Sequence, residues 1–174
     1  YFRSKGVAEK LVLSSGLGAR ILRTPILFGP NAAGSQAIIG MISSGQAKLL
    51  GGGHYQMRPL DIDDLSEALT ILCSTSIQDQ VTYELVGPES APYRDIIEMT
   101  AQVMGKTIAF GNVPILLAKF GAAITSILKG GGITPTVIDV ITQDEIVKTN
   151  ADSALGITLT PMKQTLEKMT SLGD

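Results

Sequence analysis

A tyrosine and a lysine four residues apart open the chain, in the run Tyr1-x-x-Ser4-Lys5 that continues to Ala8-Glu9. On a helix that spacing puts both side chains on one face. A cation beside a phenol favours the phenolate and lowers its pKa. A phenol so tuned can give a proton to, or take one from, a carbonyl oxygen during hydride transfer. The same residues also make an ordinary solvated helix start, and the spacing alone does not separate the two readings. Other chemistry-bearing side chains are sparse. One histidine, His54, and one cysteine, Cys73, exclude an internal disulfide and the usual zinc ligand sets. Cys73 follows the apolar positions Leu69 and Leu72, which predicts a small core residue. Asp61, Asp63 and Asp64 supply carboxylates, but a magnesium site wants more preorganised oxygens. The simpler expectation is that one caps a helix and the others are solvated, so no metal site is predicted.

The elements that must hold Tyr1 and Lys5 follow from apolar spacing. Val7, Ala8, Leu11 and Val12 recur at helical intervals over residues 4 to 15, with Gly16 or Gly18 ending the helix. The β-rich run from Ala19 to Phe28 reads as a buried strand of a parallel sheet. It should bend at Thr24-Pro25, where the proline cannot donate to a ladder. Gly29-Pro30-Asn31 is a turn. A short helix is expected over 35 to 44, and strands over 48 to 50 and 55 to 62 flank the Gly51-Gly52-Gly53 turn. Asp64-Leu65-Ser66-Glu67 fits a capping box, ahead of a helix with Leu65, Ala68, Leu69 and Leu72 inward. A strand over 81 to 86 and a helix over 93 to 104, carrying Ile96, Ile97, Thr100 and Val103 on one face, come next. Helices over 114 to 128, 135 to 142 and 162 to 171 follow, the first two linked by Gly130-Gly131-Gly132. The six methionines read as gap-filling core residues.

Composition bounds the function. A net charge of -2, with basic residues scattered, argues against a nucleic-acid surface. Mean hydropathy is high at +0.26, yet no apolar stretch reaches the ~18 residues of a membrane span. No signal-peptide pattern is present, so a cytoplasmic location is expected. The chain begins with Tyr1 and runs straight into a helical pattern, which suggests a piece of a larger protein.

Three further blocks follow Tyr1 and Lys5 in order. They are Leu22-Arg23-Thr24-Pro25-Ile26-Leu27-Phe28-Gly29-Pro30, Arg58-Pro59-Leu60-Asp61-Ile62-Asp63-Asp64-Leu65-Ser66-Glu67-Ala68, and Tyr83-Glu84-Leu85-Val86-Gly87-Pro88-Glu89. Met104-Gly105-Lys106 comes after the next helix. In that order and spacing the set resembles the extended and atypical short-chain dehydrogenase/reductase superfamily. That group includes nucleotide-sugar epimerases and dehydratases and relatives of the nucleotide-binding accessory subunit of respiratory complex I. The resemblance covers essentially the whole chain. It implies an α/β fold, the C-terminal part of an NAD(P)-binding Rossmann fold plus a small, mainly helical substrate lobe. Residues 1 to 90 would be sheet, with a lobe segment over about 31 to 60, and residues 91 to 174 the helical lobe.

The resemblance also implies roles. Tyr1 would be the catalytic tyrosine and Lys5 the residue that binds the nicotinamide ribose and lowers the tyrosine pKa. Thr24, Pro25 and Ile26 would pass the nicotinamide end of NAD or NADP. Asn31 and Arg58 would lie on the side of a small-molecule substrate, and His54, after three glycines, is most simply a loop histidine with a substrate contact as the alternative. Two departures shift the expectation toward the atypical branch. Arg58 is one place off the position that epimerases use for nucleotide phosphates, which in a strand means the opposite face, and Thr24-Pro25 replaces their usual aromatic-asparagine pair. The family's glycine-rich phosphate loop has no counterpart, because Gly16-Leu17-Gly18 ends a helix. The chain alone is therefore expected not to hold a dinucleotide, and to associate, either with a second copy or with a missing N-terminal half.

Overall fold

In a computed structural model the chain is described over residues 2–74, 81–129 and 134–171. Tyr1 and the Gly130-Gly131-Gly132 link therefore lie outside the described residues. The elements in order are α1 (Phe2–Leu13), β1 (Ile21–Arg23), β2 (Leu27–Phe28), α2 (Ala33–Ser43), β3 (Gln46–Leu50), β4 (Gln56–Met57), β5 (Leu60–Asp61) and α3 (Ile62–Ser74). The second part holds β6 (Thr82–Glu84), β7 (Ala91–Pro92), α4 (Tyr93–Val103), β8 (Ala109–Val113), α5 (Ile115–Lys129), α6 (Pro135–Ile141), α7 (Asp152–Leu155) and α8 (Met162–Thr170).

The strand expected from Ala19 to Phe28 divides at Thr24-Pro25-Ile26, as the proline requires. Before the break β1 pairs in parallel with β6, Leu22 opposite Tyr83. After it β2 pairs in parallel with β5, Leu27 opposite Leu60. Gly29 then turns the chain into α2, and a Cβ there would lie 2.5 Å from Ile62 Cγ2. Strand β3 pairs in parallel with β8, and β4 pairs antiparallel with β7. Parallel pairing with intervening helices is the α/β arrangement the sequence predicts.

Two apolar cores hold these elements together. One joins Phe28, Ile38, Ile42 and Leu49 to Ile96 and Ile97 of α4 and Leu166 of α8. The other joins Leu60, Ala68, Leu72, Tyr83 and Leu85 to Leu155, Ile157 and Leu159. Met162 and Met169 are buried, and Met41, Met57, Met99 and Met104 pack against the first core, as gap-fillers do.

Several expectations are corrected. The helix after β5 starts at Ile62, and Asp61, not Asp64, caps it, accepting the Asp63 N–H at 2.9 Å. Only Asp63 of the three aspartates is solvated. Asp61 is buried and accepts from Thr165 Oγ1 (2.8 Å) and Lys168 Nζ (2.5 Å). Asp64 is buried too, taking the N–H and hydroxyl of Thr160. Two buried carboxylates stand where a capping box was expected because each meets donors from the far end of the chain. Cys73 is exposed, as is Leu69, because the inward stripe of α3 runs through Asp64, Ala68 and Leu72. Val103 likewise points outward while Ala101 is buried. The second half, expected to be mainly helical, also holds strand β8, which pairs with β3. Among the described residues no helix is long and apolar enough to cross a membrane, and no cluster of histidine, cysteine and carboxylate side chains is suited to a metal ion.

Candidate functional site

In open parallel sheets ligands gather at the carboxyl ends of strands, because helix N-termini and loops converge there. At the carboxyl end of β1 and β6 the chain brings together three segments remote in sequence: Thr24-Pro25-Ile26, Arg58-Pro59 and Gly87-Pro88. The ladder continues past both strands, with the Leu85 N–H donating to the Arg23 carbonyl at 2.9 Å and the Leu60 N–H to the Ile26 carbonyl at 3.1 Å. The Gly87 N–H donates to the Arg58 carbonyl at 3.0 Å. A Cβ on Gly87 would collide with the Pro59 carbonyl oxygen, so only glycine allows this approach. The Arg58 guanidinium returns the contact, donating from Nε to the Gly87 carbonyl (3.1 Å) and from Nη2 to that of Pro88 (3.2 Å).

Helix α1 reaches the same end of β1. Glu9 grips Arg23 in a two-pronged pair, at 2.9 Å to Nε and 2.7 Å to Nη2, and Arg23 also meets Glu84 at 3.0 Å. The paired carboxylates hold the Arg23 pKa above its ordinary value, and the guanidinium lowers that of Glu9. Lys5 lies one turn before Glu9 on α1 and shares its face. Thr24 directly follows the Arg23 that Glu9 holds. Asn31 is exposed at the turn after β2, in the left-handed conformation (φ 61°). His54 is exposed after the glycine turn that follows β3. Neither makes a described hydrogen bond to the segments at the carboxyl end of β1.

A carboxylate that sequence reading missed completes the cluster. Glu145 accepts the Arg58 N–H at 2.6 Å. Burial raises its pKa although the Arg58 N–H and charge oppose the rise. The residues around it zip onto β4: the Glu145 N–H donates to the Gln56 carbonyl (2.9 Å) and the Gln56 N–H to Asp144 Oδ1 (2.7 Å). Further along, Asn150 pairs its amide with both backbone groups of Val86, each at 3.0 Å. No apolar periodicity marks residues 143 to 150, and side-chain-to-backbone bonds leave no spacing rule to find them by. A recess of about 420 Å³, lined by Arg23, Thr82, Glu84, Lys148, Thr149 and Ala151, adjoins the cluster through Arg23.

No family model and no curated protein matches the chain in sequence. Solved structures do. The gox2253 crystal structure is 16% identical with a TM-score of 0.68, matching 96% of this chain and 52% of that one. The Bordetella bronchiseptica enzyme WbmH, in complex with NAD+, is 14% identical with a TM-score of 0.66, over 97% and 49% of the two chains. The UDP-glucuronic acid 4-epimerase from Bacillus cereus, in complex with NAD, is 19% identical with a TM-score of 0.57, over 86% and 40%. The chain thus spans about half the length of the structures it matches. The fold expected from the ordered sequence blocks is borne out: the chain has the fold of NAD-dependent epimerase/dehydratase and short-chain dehydrogenase/reductase proteins, over about half of their length.

Proposed function

We propose that the chain is the C-terminal, substrate-side half of an NAD(P)-dependent epimerase/dehydratase- or reductase-like protein. The observation that carries this reading is the cluster at the carboxyl end of β1. There Thr24-Pro25-Ile26, Arg58 and Gly87 meet, and the Glu9–Arg23 pair holds α1 against the same strand. In this reading Lys5 binds the nicotinamide ribose, and Thr24, Pro25 and Ile26 line the nicotinamide. Tyr1 is the acid/base and Lys5 lowers its pKa. The nicotinamide supplies or accepts the hydride. Asn31, His54 and Arg58 face a small-molecule substrate. A UDP-sugar is the first class to test, since similar structures hold UDP-glucose or UDP-glucuronic acid with NAD.

The residues present fit the nicotinamide end of such a cofactor and not its pyrophosphate. At the glycine turn between β2 and α2, Gly29 is packed against Ile62 and its N–H donates to Ser35 Oγ, so that donor is already used. Exposed apolar side chains on α1 (Val7, Leu11, Val12) and α5 (Leu116, Leu117, Phe120) support association with a second copy or with the remainder of such a fold.

A second reading, a nucleotide-binding scaffold without turnover, is favoured by Arg58. Its guanidinium is engaged on two backbone carbonyls and so is less available to substrate phosphates. The experiment uses protein expressed from its native gene, with NAD or NADP and UDP-glucuronic acid. Saturable cofactor binding with turnover, lowered about 100-fold or more in Tyr1→Phe, is the expected result. Binding without turnover selects the scaffold, and no saturable binding sinks both readings.

A further inference from the structure

We infer that Asp61 is a positioning residue: held from α8 by Thr165 and Lys168, it fixes the carboxyl end of β5 and, beside it, the Gly29-Pro30-Asn31 turn proposed to face the substrate. The inference rests on the reading above and deepens it. Its basis is a buried carboxylate that the proposed chemistry does not use. The Asp61 side chain is 0% exposed, yet both of its oxygens are engaged. Oδ1 accepts the Asp63 N–H at 2.9 Å and Lys168 Nζ at 2.5 Å, and Oδ2 accepts the Thr165 hydroxyl at 2.8 Å. A charge buried without partners is costly, so this strand end is stable only where those donors reach it. The two side-chain donors come from α8, 104 and 107 residues further along the chain.

The strand end so held is one wall of the turn. Phe28 lies opposite Asp61 in the parallel β2–β5 pair, so the two share a face of the sheet. The next residues on the two strands are Gly29 and Ile62, and a Cβ on Gly29 would lie 2.5 Å from Ile62 Cγ2. The turn therefore rests on the residue that directly follows Asp61. Within it Asn31 takes a left-handed φ of 61°, which asparagine tolerates better than most side chains. The Gly29 N–H donates to Ser35 Oγ at 2.9 Å and the Ala32 N–H to the Gly29 carbonyl at 3.2 Å.

Helix α8 is itself seated. Met162, Leu166 and Met169 lie in the core that holds Phe28. Glu89 accepts the Met162 N–H at 3.1 Å, and Asp64 accepts the N–H and the hydroxyl of Thr160 at 2.8 and 2.7 Å. Apolar packing is non-directional, whereas these bonds fix length and direction. The register of α8 is thereby passed to β5.

The test has two arms, with Thr165→Val and Lys168→Met as variants because both keep the bulk of the side chain on α8. In the first, amide hydrogen exchange is read on this chain. Exchange at Gly29 and Ala32 should be at least about 10-fold faster than in wild type, with Lys168→Arg close to wild type. The Leu85 and Gly87 amides, bonded at the proposed cofactor end, should be unchanged. In the second, the native-gene protein is assayed with NAD and UDP-glucuronic acid. KM for the UDP-sugar should rise about 10-fold while KM for NAD moves less than about 3-fold. A merely structural loss lowers the urea midpoint without separating the two KM values. Unchanged exchange at Gly29 and Ala32 overturns the inference, as do KM values that move together or not at all in variants of an active wild type. An inactive wild type overturns the functional reading on which the inference stands, and exchange that still rises at Gly29 and Ala32 places the failure there.

Discussion

Helices α1 and α8 are both amphipathic elements of similar length, but the chain treats them in opposite ways. In α8, Met162, Thr165, Leu166 and Met169 are all buried. Lys168 on the same helix reaches the buried Asp61 and the exposed Asp63. Burial works against the Lys168 charge, yet the two carboxylates raise its pKa on balance. In α1 no residue is buried, and Phe2, Val7, Leu11, Val12 and Leu13 face outward. Its described ion pair is the surface contact of Glu9 with Arg23. The lesson is that an apolar stripe makes a helix amphipathic but does not say what covers it. Helix α8 is placed by this chain, whereas the apolar face of α1 is uncovered among the described residues.

Substituting the same residue type in both helices should break or sharpen that contrast. Leu166→Ala removes a side chain that is 1% exposed and should cost about 3 kcal/mol by transfer and cavity terms together, read as a lower urea midpoint with unchanged slope. Next in size come two carboxylates with opposite pH behaviour. Glu145 has its pKa raised above 4.5 by burial. Its contribution is therefore full below 4.5 and is lost as pH rises through its folded value. Glu9 has its pKa lowered below 4.5 by Arg23. It contributes above 4.5 and loses that contribution as pH falls through its folded value. Urea midpoints followed from acid to neutral pH should therefore lose less on the way up in Glu145→Gln than in wild type, and lose less on the way down in Glu9→Gln. The same sign in both variants would contradict the two environments. Smallest is Leu11→Ala, expected within about 0.5 kcal/mol of wild type. A loss like that of Leu166→Ala would mean that α1 is covered in solution, and sedimentation of the same two proteins would show whether a second copy covers it.

Much of the fold was legible because it depends on local rules. Pro25 cannot donate to a ladder, so the break between β1 and β2 could be read directly. The stripe Ile96, Ile97, Thr100 announced α4. Strand β8 was not legible, because Ala109-Phe110-Gly111-Asn112-Val113 has weak alternation and is mostly exposed. It is a strand because β3 lies beside it in register, Lys48 opposite Gly111. The site divides the same way. Lys5 and the Thr24–Ile26 segment stood out by residue type and order, while Glu145 did not.

What the sequence determined by itself is most of the longer elements, the parallel α/β class and the residue types at the proposed cofactor end. Those follow from propensity, periodicity and fixed backbone chemistry, which act over a few residues. The tertiary structure alone decided that Asp61 and Asp64 are buried against Thr165, Lys168 and Thr160, that Arg58 spends its guanidinium on the Gly87 and Pro88 carbonyls, and that Glu145 holds the Arg58 N–H. Each of those bonds spans a partnership set by which donors remain unpaired after the sheet has formed. No local pattern can carry that information.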